Sequence, residues 1–251
     1  MWLRGASRYA NIFMRLGLPL LVTMLLVTLA CRQGSSLPYD DQRNSMVEKQ
    51  IVARGVDDAR VTAAMLKVPR HLFVPEPYRH LAYADSPLPI GHDQTISQPY
   101  VVAVMTAALD LKPEDRVLEV GTGSGYQAAV VAELAGQVYT IEIIEDLAGG
   151  AAALLTRLGY ANVKVKAGDG YEGWPEYAPF DKIIVTCAPT DIPGPLADQL
   201  KEKGLMVIPV GPEGSQYLYR VKKELGRLDI EKVIPVRFVP LTGPHAGGGP
   251  N

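Results

Sequence analysis

The stretch EVGTGSG, residues 119–125, decides the fold of this 251-residue chain. It overlaps the end of the short apolar run RVLEV, residues 116–120, and precedes a helical pattern, so its glycines form a strand-to-helix turn. Glycine lets the backbone turn tightly and lets a ligand lie against main-chain N–H groups. The spacing is GxGxG, and Tyr126 stands where the dinucleotide-binding fingerprint requires its third glycine. The carboxylate of Glu119 favours a ligand with an ammonium group and repels a pyrophosphate.

Two further acids follow the turn at predicted strand ends. Glu142 ends the run QVYTIE, where an acid bonds ribose hydroxyls in such folds. Asp169 lies between two glycines, where it could accept from an adenine amino group or close an Asx-type turn. Because open α/β sheets bind ligands at the carboxyl edge of their strands, the three acids predict one ligand site there. S-adenosylmethionine has the ammonium group, the ribose and the adenine that these acids would bind, so it is the predicted ligand. The predicted cofactor contacts in this set are Glu119, Gly121, Thr122, Gly123, Ser124, Gly125, Glu142, Asp169 and Gly170.

Strand and helix patterns alternate from Arg116 onward and predict an α/β fold. The expected architecture is a doubly wound, mostly parallel sheet of the Rossmann-like methyltransferase type. The alternating runs 217–224 and 232–241 predict a late antiparallel strand pair, and PLADQLKEKG, residues 195–204, predicts a helix. Residues 43–68 carry apolar positions at helical spacing, interrupted by Gly55, and predict an N-terminal appendage of two short helices.

Composition limits the possible partners. The net charge is -2 and the pI is about 6.1, without the basic face that nucleic-acid binding needs. The two cysteines show neither disulfide nor zinc spacing, and the apolar run KIIVTCA predicts that Cys187 is a buried, inert thiol. We therefore expect no nucleic-acid partner and no metal.

The N-terminus resembles a secretory or lipoprotein signal. Arginines precede the apolar stretch 16–30, which ends just before Cys31. Fifteen residues are short for a membrane-spanning helix, which needs about 20. The alternative is an upstream extension, with Met46 as the natural start. Membrane contact is expected only through this stretch.

Several segments together resemble bacterial protein-L-isoaspartate O-methyltransferases, over residues 43–241. They are VPRHLFVPEPY, LPIGHDQTISQPY, VLEVGTGSGYQAA, TIE, GDG followed by GWP, PFDKIIVTCA and VRFVPL. TISQPY, residues 95–100, is the specific part, since generic methyltransferases share the glycine turn but not this loop. The resemblance implies methyl transfer from S-adenosylmethionine to the α-carboxylate of L-isoaspartyl residues in damaged proteins. The ester then cyclises to a succinimide without the enzyme, so repair needs only the methylation step.

The same resemblance assigns roles to individual residues. Ser97 matches the active-site serine. Because the substrate carboxylate is ionised at pH 7, no general base is needed, and the hydroxyl would orient one carboxylate oxygen. The loop that closes over the cofactor corresponds to Gln94, Thr95, Ile96 and Ser97, and the substrate contacts correspond to Thr95, Arg237, Phe238 and Val239.

One departure from the family pattern lies beside this loop. Asp93 stands where the family usually has glycine. If that position needs a positive φ, aspartate is among the better substitutes. It also adds negative charge near a carboxylate substrate.

Two other functions stay open at this point. A class I methyltransferase for a small molecule or RNA has no reason to carry TISQPY and VRFVPL. An exported binding protein without catalysis is favoured only by the N-terminal stretch. S-adenosylmethionine is made and kept in the cytosol, so we expect a cytoplasmic enzyme, with export or membrane anchoring as the alternative. The expected organisation is a signal-like or extension segment and linker (1–42), a methyltransferase domain (43–241) and a disordered tail (242–251).

Overall fold

The computed structural model describes residues 38–244. Contacts divide the chain into two units, Met1–Asp41 and Gln42–Asn251, and the fold below is that of the second. Within residues 38–244, none of the helices has the length and apolar character needed to cross a membrane. The signal-like stretch 16–30 lies outside the described residues.

The described chain alternates helices and strands as the sequence predicts. The two N-terminal helical segments are separated at Gly55, whose φ is 89°. The second of them begins at Asp58, whose carboxylate accepts from the N–H groups of Arg60 and Val61 and so caps the helix. In chain order the elements are α1 (Pro38–Met46), extended by a π turn (Val47–Ile51) and a 3₁₀ turn (Val52–Arg54), α2 (Ala59–Lys67), 3₁₀ turns (Arg70–Phe73 and Glu76–Leu81), β1 (Leu88–Gly91), β2 (Gln94–Ile96), α3 (Pro99–Ala108), β3 (Arg116–Val120), α4 (Tyr126–Ala132), β4 (Gln137–Glu142), α5 (Glu145–Arg157), β5 (Val163–Ala167), 3₁₀ turns (Gly170–Glu172 and Pro175–Tyr177), β6 (Phe180–Val185), α6 (Gly194–Gln199), β7 (Leu200–Val210), β8 (Gln216–Glu224) and β9 (Arg227–Val236).

Seven strands form one sheet in the order β5-β4-β3-β6-β7-β8-β9. The first five of these run parallel, and β8 and β9 pair antiparallel with their neighbours. The chain order runs outward in both directions from β3, which creates a topological switch point between β3 and β6. The predicted doubly wound, mostly parallel sheet with a late antiparallel pair is confirmed.

The central strands are apolar along their length because both faces of the sheet are covered. In β6, Ile183, Ile184 and Val185 are all fully buried, although successive side chains point to opposite faces. The same holds for Val117 and Leu118 in β3. Because this core sets where the strands end, it also positions the carboxyl edge of the sheet, where such sheets bind ligands.

The helix predicted over 195–204 is too long. The helix ends at Gln199, and Leu200 is already buried in β7, paired with Phe180. A Cβ on Gly204 would lie 2.7 Å from a backbone carbonyl oxygen, so the chain is tightly folded here. The charged sequence KEK favours a helix locally, but pairing with β6 overrides that propensity.

Alanine substitutions at two glycines test this packing, because they are expected to change the free energy of unfolding in opposite directions. A Cβ on Gly136, just before β4, would lie 2.7 Å from the carbonyl oxygen of Pro113, whereas one on Gly150 in α5 would meet nothing within 4 Å. Gly136→Ala should lower the free energy of unfolding by about 1–3 kcal/mol through overpacking. Gly150→Ala should raise it by up to about 1 kcal/mol through helix propensity. Urea unfolding measures both, and a neutral Gly136→Ala would contradict the close packing.

Candidate active site

The glycine turn has the left-handed backbone that its sequence predicts. Gly121, Gly123 and Gly125 have φ values of 95°, 52° and 86°. The N–H of Gly121 donates to the carbonyl of Ile141 at 2.8 Å, which ties the turn to β4. A Cβ on Gly121 would lie 2.5 Å from the hydroxyl oxygen of Thr186. Glycine is therefore required here both by conformation and by space.

A cavity of about 750 Å³, including space open at its mouth, lies at the carboxyl edge of the sheet. Its walls come from the glycine turn, from the loop that contains Ser97, and from residues 239–242 near the C-terminus. Eleven of the predicted site residues line this cavity: Gln94, Thr95, Ile96, Ser97, Gly121, Thr122, Gly123, Ser124, Glu142, Gly170 and Val239.

Five predicted residues lie around the cavity without lining it. Glu119 and Gly125 lie in the strand and turn behind its wall, and Asp169 directly precedes the lining residue Gly170. Arg237 and Phe238 line a neighbouring groove instead. The roles assigned to these residues stay predictions.

Other lining residues were not predicted from the sequence. Thr186 and Cys187 directly follow β6, so the strand-edge rule that selected the three acids would also have found them. Cys187 is free and buried, and burial raises the pKa of its thiol to about 12. Pro240 and Leu241 belong to the segment VRFVPL but received no role from the resemblance, and Thr242 directly follows it. The remaining unpredicted residues are Val102, Val120, Tyr126, Gln127, Ile141, Ile143 and Ile144.

Glu142 presents a fixed carboxylate to the cavity. Its Oε2 accepts from the N–H of Gly123 at 2.7 Å, and its Oε1 accepts from the N–H of Ile144 at 3.0 Å. Each carboxylate oxygen has a second acceptor site. The side chain can therefore accept from two ligand hydroxyls without rearranging, as a ribose diol requires.

Glu119 is buried without a partner of its own. Neither carboxylate oxygen forms a hydrogen bond with any described residue. The nearby hydroxyl of Thr140 is already bonded to that of Thr122 at 2.6 Å. Burial raises the pKa of Glu119 to about 8, an effect that Thr140 opposes and the charge of Glu142 reinforces. A positive charge on a ligand would stabilise the ionised carboxylate here.

Asp169 closes a turn, as one of its two predicted roles requires. Its Oδ1 accepts from the N–H of Tyr171 at 2.9 Å and begins a 3₁₀ turn. A Cβ on Gly170 would lie 2.4 Å from Cγ1 of Val120, so the turn packs directly against β3. This contact places the backbone of Gly170 in the cavity wall.

The loop with Ser97 follows a tight hairpin between β1 and β2. Its turn residues, His92 and Asp93, have φ values of 52° and 56°, so Asp93 does occupy a left-handed position. Ser97 does not cap α3, because Gln98 holds the N-cap position. Among the described residues its hydroxyl has no hydrogen-bond partner, which leaves it available to a ligand.

A surface groove adjoins the cavity. Thr95, Ser97 and Thr186 line both spaces, and so do Val239 and Pro240. The groove therefore lies directly beside the cavity, with Ser97 on the boundary of both.

The groove continues along residues 235–238. At its rim Arg237 lies 3.8 Å from Glu213, and both side chains are exposed. The strand predicted over 232–241 ends at Val236, so Arg237, Phe238 and Val239 lie beyond the sheet.

Comparison with known proteins identifies the family of the chain. A family model described as Protein-L-isoaspartate(D-aspartate) O-methyltransferase (PCMT) matches residues 41–246. The chain belongs to this family. The protein-L-isoaspartate O-methyltransferase of Opitutus terrae is 54% identical over 230 residues, which cover 91% of this chain and 98% of that one. The enzyme of the same name from Gloeobacter violaceus is 54% identical over 198 residues, covering 78% and 97%.

A solved structure shows the same fold. It is the crystal structure of a protein-L-isoaspartate O-methyltransferase from Plasmodium falciparum in complex with S-adenosyl-L-homocysteine. The match has a TM-score of 0.70 and 29% identity, and covers 80% of this chain and 98% of that one. The predicted family and methyltransferase fold are thus confirmed.

The charges of the cavity fit the cofactor of protein-L-isoaspartate O-methyltransferases. The described residues that line it include Glu142 but neither lysine nor arginine, so a phosphate would lack a counter-charge. S-adenosylmethionine has a ribose, an ammonium group and a positive sulfonium, and no phosphate. The orphaned carboxylate of Glu119 behind the wall suits the same positive charges.

The raised pKa of Glu119 should make the stability of the cofactor-free protein depend on pH. The pKa is about 8 in the folded protein against 4.5 for the free group, so folding favours the protonated form. The contribution of this group to stability is complete below pH about 4.5 and is lost as the pH rises towards about 8. Because Glu119→Gln cannot ionise, its unfolding free energy should fall less steeply, by up to about 1.4 kcal/mol per pH unit.

Urea unfolding at about pH 5.5 and 7.5 measures this difference. Glu145→Gln removes an exposed carboxylate at the start of α5 and controls for charge alone. Parallel pH dependence in Glu119→Gln and the unchanged protein would rule out a buried, protonated Glu119.

Proposed function

We propose that this chain transfers a methyl group from S-adenosylmethionine to the α-carboxylate of L-isoaspartyl residues in damaged proteins and peptides. The observation that carries the proposal is that the cavity and the groove share Ser97 and four other lining residues. A carboxylate reaching in from the groove would meet the cofactor at this boundary. The products are a carboxyl methyl ester and S-adenosylhomocysteine.

The cofactor would be held by groups that the structure has already oriented. Glu142 would accept from the ribose hydroxyls, since two backbone N–H groups fix its carboxylate. The glycine turn would bind the amino-acid end, with the charge of Glu119 behind it, and the turn at Asp169 and Gly170 would meet the adenine. When bound, S-adenosylmethionine supplies a methyl group activated by the positive charge on sulfur.

Ser97 would orient the substrate rather than activate it. An aspartyl-type carboxyl group has a pKa near about 4 and is ionised at neutral pH, so no proton has to be removed. The hydroxyl can donate to one carboxylate oxygen and direct the other towards the methyl group, which is catalysis by positioning. Thr95 shares the same loop and lines both spaces, so it would contact the substrate too.

The other wall of the groove would bind the substrate backbone. Arg237, Phe238 and Val239 follow the last strand and border the groove. An extended peptide that pairs with such a segment is recognised mainly by main-chain hydrogen bonds. This mode tolerates varied side chains, as repair of damage at many sites requires.

We also propose the organisation and location of the enzyme. Residues 43–241 would form the methyltransferase domain, which the family match over 41–246 supports. Thr242 also lines the cavity. A cytoplasmic location is proposed because the methyl donor is made there, with export or anchoring as the alternative. The predictions for residues 1–37 and 245–251 lie outside the described residues.

The function is tested with two peptides that differ only in one L-isoaspartyl or normal aspartyl residue. We expect the full chain to transfer radiolabel from S-adenosylmethionine to the isoaspartyl peptide alone, as a base-labile ester. Label on neither peptide, despite cofactor binding, would contradict the proposal and favour another substrate, such as a small molecule or RNA. Cofactor that does not bind at all would favour the non-catalytic alternative.

The role of Ser97 is tested by Ser97→Ala. Loss of one hydrogen bond to a charged group should lower kcat/KM for the isoaspartyl peptide by about ten- to a hundredfold. Thr62→Ala is the matched control, because it removes an exposed hydroxyl on α2 that bonds only within its own helix. Full activity of Ser97→Ala would remove the orienting role.

A further inference from the structure

The side chain of Gln216 binds the backbone of Phe238 through both of its polar groups. The N–H of Phe238 donates to Oε1 of Gln216 at 2.6 Å, and Nε2 of Gln216 donates to the carbonyl of Phe238 at 3.2 Å. Gln216 is 4% exposed and Phe238 is 9% exposed. Both bonds are thus shielded from water. If either bond were lost, a buried polar group would be left without a partner.

This amide extends the sheet beyond the point where its backbone pairing ends. Gln216 is the first residue of β8 and pairs with Val236, the last residue of β9. Phe238 lies two residues further on, where no strand of residues 38–244 pairs with it. The carboxamide takes the place of the missing strand, since it offers the acceptor and the donor that a neighbouring peptide group would offer.

A different contact holds the chain just after Phe238. The N–H of Ala188 donates to the carbonyl of Val239 at 2.8 Å, and the N–H of Leu241 donates to the carbonyl of Ala188 at 2.9 Å. Gln216 therefore fixes the part of the chain that borders the groove, and Ala188 fixes the part that borders the cofactor cavity.

We infer that Gln216 is a positioning residue that holds Arg237 and Phe238 in the conformation to which the substrate peptide binds. The inference rests on the proposed function. In an extended chain, consecutive residues direct their backbone groups to opposite sides. Because both groups of Phe238 face Gln216, those of Arg237 face away from it and are available to an added strand.

The main test is Gln216→Leu. Leucine removes both hydrogen bonds and fills the same buried position with an apolar side chain. The KM for the isoaspartyl peptide should rise about tenfold or more, because the loss of two buried hydrogen bonds frees the binding segment. We expect kcat to change less than about threefold, since Ser97 and the cavity are untouched. Calorimetric affinity for S-adenosylhomocysteine, without peptide, should also change less than about threefold, because the contacts of Ala188 remain.

A matched control exists elsewhere in the chain. Gln199 also bonds the backbone through both polar groups of its side chain, an arrangement called an amide clamp below. It accepts from the N–H of Trp174 at 2.7 Å and donates to the carbonyl of Glu172 at 2.8 Å. It is 8% exposed, and none of these three residues lines the cavity or the groove. Gln199→Leu should lower stability without raising the peptide KM. Equal KM increases in both variants would show a general loss of structure and overturn the inference.

A second variant keeps the inference testable if Gln216→Leu does not fold. In Gln216→Glu the protonated carboxyl can make both bonds, whereas the ionised form repels the carbonyl of Phe238. Burial favours the protonated form. The ratio of variant to unchanged KM should therefore be near one at about pH 6 and rise by about pH 8. A ratio that is independent of pH would contradict the positioning role.

Amide hydrogen exchange separates failure of this inference from failure of the proposed function. Exchange at Phe238 should be faster in Gln216→Leu than in the unchanged protein, whatever the substrate is. Unchanged exchange would show that the clamp does not hold the segment. Faster exchange in an enzyme that does not methylate isoaspartyl peptides would instead disprove the proposed function. The role of the segment in binding such peptides would then be disproved as well.

Discussion

The hydrogen bond between the N–H of Gly123 and the carboxylate of Glu142, 2.7 Å long, is the constraint on which the site depends. It joins the turn after β3 to the end of β4, so the two central strands must end at the same level. The left-handed glycines allow the approach, and the buried parallel pairing of β3 with β4 sets the register. A side chain at position 121 would push the turn away from Thr186. The end of β3 would then shift relative to β4.

Two carboxyl groups near the cavity would favour a cationic ligand over a phosphate. Glu142 is fixed at the wall, and Glu119 is buried behind it without a hydrogen-bond partner among the described residues. Such an arrangement raises the free energy of the empty protein, because a buried carboxyl must either hold its proton or remain an unpaired charge. A cationic ligand relieves this cost, and a phosphate would increase it.

The carboxyl edge of the sheet could be predicted from local patterns, whereas the groove could be predicted only from the family resemblance, for a physical reason. The residues from Gly121 to Ser124, together with Glu142 and Gly170, follow strands whose apolar runs are local and easily recognised, and parallel pairing then brings the strand ends together. The position of residues 237–241 depends instead on Gln216 and Ala188, which are distant in sequence, so only the resemblance of VRFVPL indicated this segment. The misassigned helix near Leu200 has the same origin, since pairing with β6 overrides the local propensity.

The two halves therefore differ in how rigidly they are built. The carboxyl edge of the sheet is held by a continuous backbone ladder, whereas the groove also depends on side-chain amides: Gln216 bonds the backbone of Phe238, and Gln98 bonds the backbone carbonyl of Asp85. Amide clamps fix a backbone with few bonds and leave its side chains unconstrained. An enzyme whose substrates share one damaged linkage but differ in sequence needs this division, because the methyl donor demands an invariant pocket and the peptide demands a tolerant one. The clamps would thus place the peptide backbone against the cavity mouth without requiring a defined sequence around the damaged residue.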